Sequence, residues 1–346
     1  MAVKTKTCGL NWPFRISNIR ESCTILKERP STVLVWRLFS SAIIISSLVA
    51  AIVFDLRWGR EEDLARPGIL TVVIVSTLAI LASLELDRLT SQFRQWGRRL
   101  TRIAATTLVV ATAAIPVFYV PYPPDCPVGR LGWPVVGALI GLLLLFGREM
   151  LLFRSDDAAE INAQPSGINV GPATTRLGIG ALSMVYVGLP LAMIINVRLL
   201  STNAFGMWAL LSLIVIPKAA DAGAYFTGHA IGKHKLVPRL SPGKTIEGFA
   251  GGLATGVVSS LLLWYVIGPY VFATTIPGSW LAAVAYGLIL SLVSVFGDLC
   301  ESLIKRDCQI KDSSHLLPGL GGVLDVIDSI LTSAPAAYAF WIIMDL

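Results

Sequence analysis

Residues 279–306 read SWLAAVAYGLILSLVSVFGDLCESLIKR. From Ser279 to Gly297 the stretch carries no charge, and then Asp298, Glu301, Lys305 and Arg306 arrive within one short segment. An uncharged apolar run of this length is what a helix needs to cross roughly 30 Å of hydrocarbon, about 20 residues. The segment therefore reads as a membrane-spanning helix that ends by delivering ionisable side chains to one face of the bilayer.

Runs of the same kind recur along the chain. Spans are expected at 36–54, 68–86, 103–120, 131–147, 177–197, 205–223, 248–267, 279–297 and 322–343. Composition agrees: 54% of the 346 residues are hydrophobic and only 14% charged, against about 25% charged in a soluble domain. The fold expected is all-α, a polytopic membrane protein of about nine transmembrane helices.

Charges in the connections give the orientation. The segment up to Arg29 holds six basic residues against Glu21 and Glu28, and loop 87–102 holds five arginines against Asp87. Segments 224–247 and 298–321 are basic as well, whereas 55–67, 121–130 and 268–278 are acidic, nearly neutral or uncharged. Basic and non-basic connections alternate, so the N-terminus is expected in the cytoplasm and the C-terminus outside. Loop 148–176 is nearly neutral, and its Gly, Pro, Ser and Asn content reads as a joint. Three parts follow: a cytoplasmic segment 1–32, a divergent transmembrane region 33–155, and a catalytic transmembrane region 156–346.

The net charge of +6 does not point to nucleic acid, because the basic residues lie between apolar runs and form no stripe with interleaved aromatics. Five scattered cysteines, with no CxxC pair and no histidine nearby, support neither a zinc site nor a disulfide framework. The polar N-terminus does not read as a cleaved signal peptide.

Three clusters in the last 130 residues hold more charge than topology requires, and all fall on the cytoplasmic side. In the first, Lys218 and Asp221 are spaced to share a helical face. An interfacial ion pair with a snorkelling lysine is one reading; a functional carboxylate within a span is the other. The second runs from Gly232 to Gly248 and contains Lys233, Lys235, Arg239, Ser241, Lys244 and Thr245. Gly243-Lys244-Thr245 invites a P-loop reading, but that motif needs glycine at 238, where Pro238 stands, and no strand is expected before it. A cationic loop entering a helix near Glu247 remains, suited to a polyphosphate or to lipid headgroups. His234 is expected at the surface.

The third cluster comprises Asp298, Glu301, Ser302, Lys305, Arg306, Lys311, the glycine turn Pro318–Gly322, Asp325 and Asp328. Asp298, Ser302 and Lys305 fall on one helical face. Asp325 and Asp328 share a face at the start of an apolar span, where they repel unless a cation lies between them, and Mg²⁺ is the expected ion. Metal and cations in one place suit phosphoryl or nucleotidyl transfer; intramembrane carboxylates also mark ion pathways in transporters.

At these residues the chain resembles the phosphatidate cytidylyltransferase family. Ser302-Leu-Ile-Lys305-Arg306, Lys311-Asp312, Pro318-Gly319-Leu320-Gly321-Gly322 and Asp325-Val-Ile-Asp328 are similar to that family's C-terminal signature. So are Asp221-Ala-Gly-Ala-Tyr225 and Ser241-Pro-Gly-Lys244-Thr245. It departs at Leu320, where the family usually has His, and at Val326, where it has Arg or Gln. The resemblance implies transfer of a cytidylyl group from CTP to phosphatidic acid with Mg²⁺, by a homodimer; the N-terminus, which does not read as a transit segment, points to a bacterial inner membrane, and the basic connections put the active site on the cytoplasmic side. The resemblance also implies metal ligation by Asp298, Asp325 and Asp328, and phosphate binding by Lys244, Lys305, Arg306 and Lys311. Ser241, Thr245 and Ser302 would donate hydrogen bonds, and Asp221 would stand beside the metal. A CTP-dependent lipid kinase, a transporter and a catalytically degenerate homologue are the alternatives.

Overall fold

The computed structural model describes residues 54–55, 68–90, 96–118, 123, 126–153, 171–310, 314 and 321–344. The N-terminal segment, the expected first span up to residue 53, most of the 148–176 joint, Lys311 and the turn residues 315–320 lie outside the described residues.

Eight long helices are described: α1 (Ile69–Thr90), α2 (Trp96–Ala113), α3 (Gly129–Leu152), α4 (Pro172–Arg198), α5 (Asn203–Ile231), α6 (Ile246–Val271), α7 (Trp280–Asp307) and α8 (Val323–Ile343). All but α2 are long and apolar enough to cross a membrane. Helix α2 occupies the expected third span but begins earlier, taking Arg98, Arg99 and Arg102 into its first turns. It stops at Ala113, and a short turn Ile115–Phe118 follows, because Pro116 cannot continue the backbone ladder. The chain is an all-α polytopic membrane protein.

Two helices run well past their expected ends. Helix α5 continues eight residues beyond 223, and α7 ten beyond 297, so both chemical segments are helical. The 232–248 segment, read as a loop, is instead a β-hairpin. Strand β1 (Lys235–Val237) pairs antiparallel with β2 (Ser241–Thr245), Lys235 facing Thr245 and Val237 facing Ser241. The Leu240 N–H donates to the Val237 carbonyl at 3.3 Å, a turn whose second residue is Pro238, where its fixed φ fits. The sequence reading missed this because strands of three and five residues, the second reading Ser-Pro-Gly-Lys-Thr, carry no hydrophobic alternation. A strand does precede Lys244, then, but it belongs to a surface hairpin, and Pro238 still excludes a P-loop.

Lipid tails are as apolar as leucine, so helix association here depends on close packing rather than on burial from water. Gly248, Gly252 and Gly256 lie on one stripe of α6. A Cβ at Gly252 would stand 2.9 Å from the Ala220 carbonyl, and one at Gly248 2.7 Å from that of Ala224. Backbones of α5 and α6 therefore touch directly. At the opposite ends of the helices, Phe205, Trp208, Trp264, Tyr286 and Trp341 form an aromatic plug, with Trp264 and Trp341 centroids 5.4 Å apart. Trp208 Nε1 donates to the Leu263 carbonyl at 2.9 Å, where a π-helical turn begins in α6. From Trp341 to Asp325 is sixteen residues of helix, about 24 Å; the plug closes one end and leaves the other to the polar residues.

Candidate active site

Helices α5, α7 and α8 and the hairpin converge at that other end. Lys218 on α5 donates to Ser329 Oγ on α8 at 2.7 Å, and lies 3.9 Å from Asp328 and 3.5 Å from Asp221. Lys244, on β2, donates to Asp298 of α7 at 3.0 Å. Asp298 acts electrostatically on both Asp328 and Asp221. Three carboxylates and two lysines from four elements thus share one locus.

A second group sits one helical turn along the α7–α8 pair. Lys305 donates to Glu301 at 3.0 Å and to Asp325 at 2.7 Å. The other oxygen of Asp325 accepts the Gly322 N–H at 2.7 Å, capping α8. Asp325 and Asp328 are spaced so that each faces a different lysine. Among the described residues, no set of three or more His, Cys, Asp or Glu side chains is arranged to hold a metal ion.

A cavity of about 540 Å³ opens between α5, the hairpin and α7. Asp221, Lys235, Lys244, Thr245 and Asp298 line it, and Tyr225 and His229 stand at its wall with their rings stacked, centroids 6.1 Å apart. Thr245 Oγ1 accepts from the Gly248 N–H at 3.1 Å, which caps α6 and leaves the hydroxyl proton free to be donated into the cavity. Ser241 and Ser302 are half-buried and do not form its wall, and Arg306, next to Lys305 in the last turn of α7, is exposed. His234 is at the surface, its Nδ1 2.6 Å from Glu247. Glu247 also accepts the Lys233 N–H at 3.1 Å and the His234 N–H, closing the base of the hairpin.

Two contributors, Ser329 and Tyr186, were not foreseen from sequence, and two members of the charged clusters, Lys218 and Glu301, take part without having been assigned a role. Glu301, on α7 with Asp298, is nearly fully buried. Tyr186 comes from a π-helical turn in α4, Met184–Gly188. Among the described residues its buried hydroxyl has no hydrogen-bond partner, and Glu301, Asp328 and Asp298 act on it electrostatically. Local sequence gives no sign of this, although π turns are often found at functional sites.

Fold and site together define a helical membrane protein whose spans carry paired carboxylates and lysines to one face, beside a basic hairpin. A profile of the cytidylyltransferase family matches residues 37–344. The chain belongs to the cytidylyltransferase family. Similar proteins include the phosphatidate cytidylyltransferase of Chlamydia muridarum, 38% identical over 170 residues, which are 48% of this chain and 55% of the relative. That of Bacillus subtilis is 36% identical over 163 residues, 47% of this chain and 57% of the relative. That of Mycobacterium bovis is 34% identical over 222 residues, 62% and 67% respectively. The match spans 55% and 57% of the length of the first two of these relatives and 67% of the third.

Proposed function

We propose that the protein transfers the cytidylyl group of CTP to phosphatidic acid, giving CDP-diacylglycerol and pyrophosphate. The observation that carries this reading is the convergence of Lys218, Lys244, Asp221, Asp298 and Asp328 beside a cavity open toward the basic hairpin. The names of the similar bacterial proteins support it.

The chemistry asks for little beyond placement and charge. A phosphate oxygen of phosphatidic acid attacks the α-phosphorus of CTP, the bond from that phosphorus to the β-bridging oxygen breaks, and pyrophosphate leaves. A phosphomonoester is already largely ionised near neutral pH, so no strong base is required. Lys244 and Lys218 hold the phosphates, and each is released from its carboxylate when phosphate oxygens take its place. Thr245 donates a hydrogen bond from the cavity wall. Arg306 adds exposed positive charge, and, as the resemblance implies, Lys305 and Lys311 are further phosphate partners with Ser241 and Ser302 as further donors.

The donor set fits Mg²⁺. Asp298 and Asp328 act on one another as like charges, and the Tyr186 hydroxyl they act on has no hydrogen-bond partner among the described residues; Mg²⁺ is commonly held by one or two carboxylates with phosphates and water completing its shell. Asp325 can join them only by giving up Lys305 or the Gly322 N–H. When bound, the ion neutralises charge on the phosphate oxygens. The working unit is a homodimer in a bacterial inner membrane, with the site on the cytoplasmic face, as the resemblance and the basic connections imply.

CTP labelled at the α- or the γ-phosphorus tests the reaction in purified protein supplied with phosphatidic acid. A cytidylyltransferase leaves the α label in lipid and the γ label in pyrophosphate. Lipid carrying the γ label would refute the reading in favour of a kinase.

A further inference from the structure

Glu85, near the end of α1, is fully buried. Its Oε1 accepts the Val323 N–H at 2.9 Å and the Ser314 hydroxyl at 2.6 Å, and its Oε2 accepts the Leu324 N–H at 2.8 Å. Val323 and Leu324 are the first two residues of α8. The opening N–H groups of a helix have no partner within it. Here Asp325 takes the Gly322 donor and Glu85 takes the next two. A carboxylate at a helix N-terminus is also favoured by the helix dipole.

Glu85 is itself held firmly. Two residues on, buried Asp87 accepts from Arg102 Nε at 2.7 Å and lies 3.1 Å from Arg99, tying α1 to α2. The end of α1 is thus a fixed post, and the start of α8 is fastened to it. Asp325 lies one residue beyond Leu324, and Asp328 one turn further. Ser314 belongs to the signature segment between α7 and α8, so one carboxylate grips both that connection and the helix.

We infer that Glu85 is a positioning residue for the transfer reaction: it sets the depth and orientation of α8, and so places Asp325 and Asp328 opposite Lys305, Lys218 and Asp298. This rests on the proposed function, and it gives the N-terminal transmembrane region a role in the chemistry. The side chain acts through the backbone of α8 and touches neither substrate.

The test uses full-length purified protein, wild type, Glu85→Gln and Glu85→Asp. The Gln variant keeps the size but replaces one carboxylate oxygen by an N–H₂, so either the Leu324 N–H on Oε2 or the Val323 N–H and Ser314 hydroxyl on Oε1 lose their acceptor. Turnover should fall by about 10–100-fold, as losses of supporting contacts do, with a raised Mg²⁺ requirement and a cooperative melt retained. Asp should recover part of the rate. Independently of turnover, hydrogen exchange without substrate should quicken at the Val323 and Leu324 amides relative to the rest of α8. Unchanged exchange, or a Gln variant whose rate and Mg²⁺ requirement match wild type, overturns the inference. So does a loss of rate that merely follows the folded fraction. Labelling by wild type, run alongside, separates the two ideas: if wild type labels no lipid the proposed function falls, whereas labelling wild type with an unimpaired variant removes only the role of Glu85.

Discussion

Lys244 Nζ, on a surface hairpin, lies 3.0 Å from Asp298 Oδ2, on a membrane-spanning helix. The pair couples the one β-element described to the carboxylates of the helical bundle. Both side chains are about one-quarter exposed, so phosphate entering the cavity can reach the ammonium group and displace the carboxylate.

Lys244→Met should therefore lower kcat/KM for CTP at least about tenfold, since a hydrogen bond to a charged group contributes roughly 1.5–3 kcal/mol. Steady-state kinetics over a range of CTP concentrations measure it. A variant with wild-type kcat/KM would remove Lys244 from the phosphate site.

The Lys305 triad makes a prediction about stability. Lys305 is mostly buried between Glu301 and Asp325. Breaking a buried pair by removing one partner costs about 3–5 kcal/mol, because the remaining charge is uncompensated. Lys305→Met leaves two such carboxylates, while Asp325→Asn leaves a lysine still paired with Glu301. The lysine variant should melt lower than the Asn variant in detergent; the reverse order would show that the cap on α8 outweighs the triad.

Packing supplies a third expectation. A Cβ on Gly256 of α6 would overlap Ser291 Oγ of α7 and lie 3.0 Å from Ser291 Cβ. Gly256→Ala should destabilise by about 1–3 kcal/mol, the usual cost of overpacking, and adding Ser291→Ala should restore part of it. Thermal melts of both single variants and the double variant read this directly.

Sidedness can be tested at Arg239, exposed in the hairpin turn. With Cys in its place, in a background without other reactive thiols, a membrane-impermeant maleimide should react in inverted vesicles and not in intact cells. Reaction from the outside of intact cells would reverse the orientation.

Much of this was legible in the sequence because lipid makes hydrophobic runs an explicit length signal. The span at 279–297 and its charged continuation were readable from charge spacing alone, and helix α7 carries both. Asp298, Asp325 and Asp328 announced themselves as charges in apolar helices. What stayed hidden depends on distance in space. Lys218 and Ser329 are 111 residues apart and meet at 2.7 Å; Glu85 and Leu324 are separated by 239. The hairpin escaped because its short strands carry no hydrophobic alternation, and Tyr186 because a π turn changes which face a residue presents without altering local composition.

The most direct test of the whole account is incorporation of α-labelled CTP into lipid by wild type and Asp328→Asn, each reconstituted with phosphatidic acid, Mg²⁺ added or chelated. The account predicts Mg²⁺-dependent labelling of a CDP-lipid by wild type, and at least about a hundredfold less by the variant although it inserts and folds, as when an electrostatic contact to the reacting groups is removed. Folded wild type that labels no lipid, or a variant that labels as fast as wild type, would contradict it.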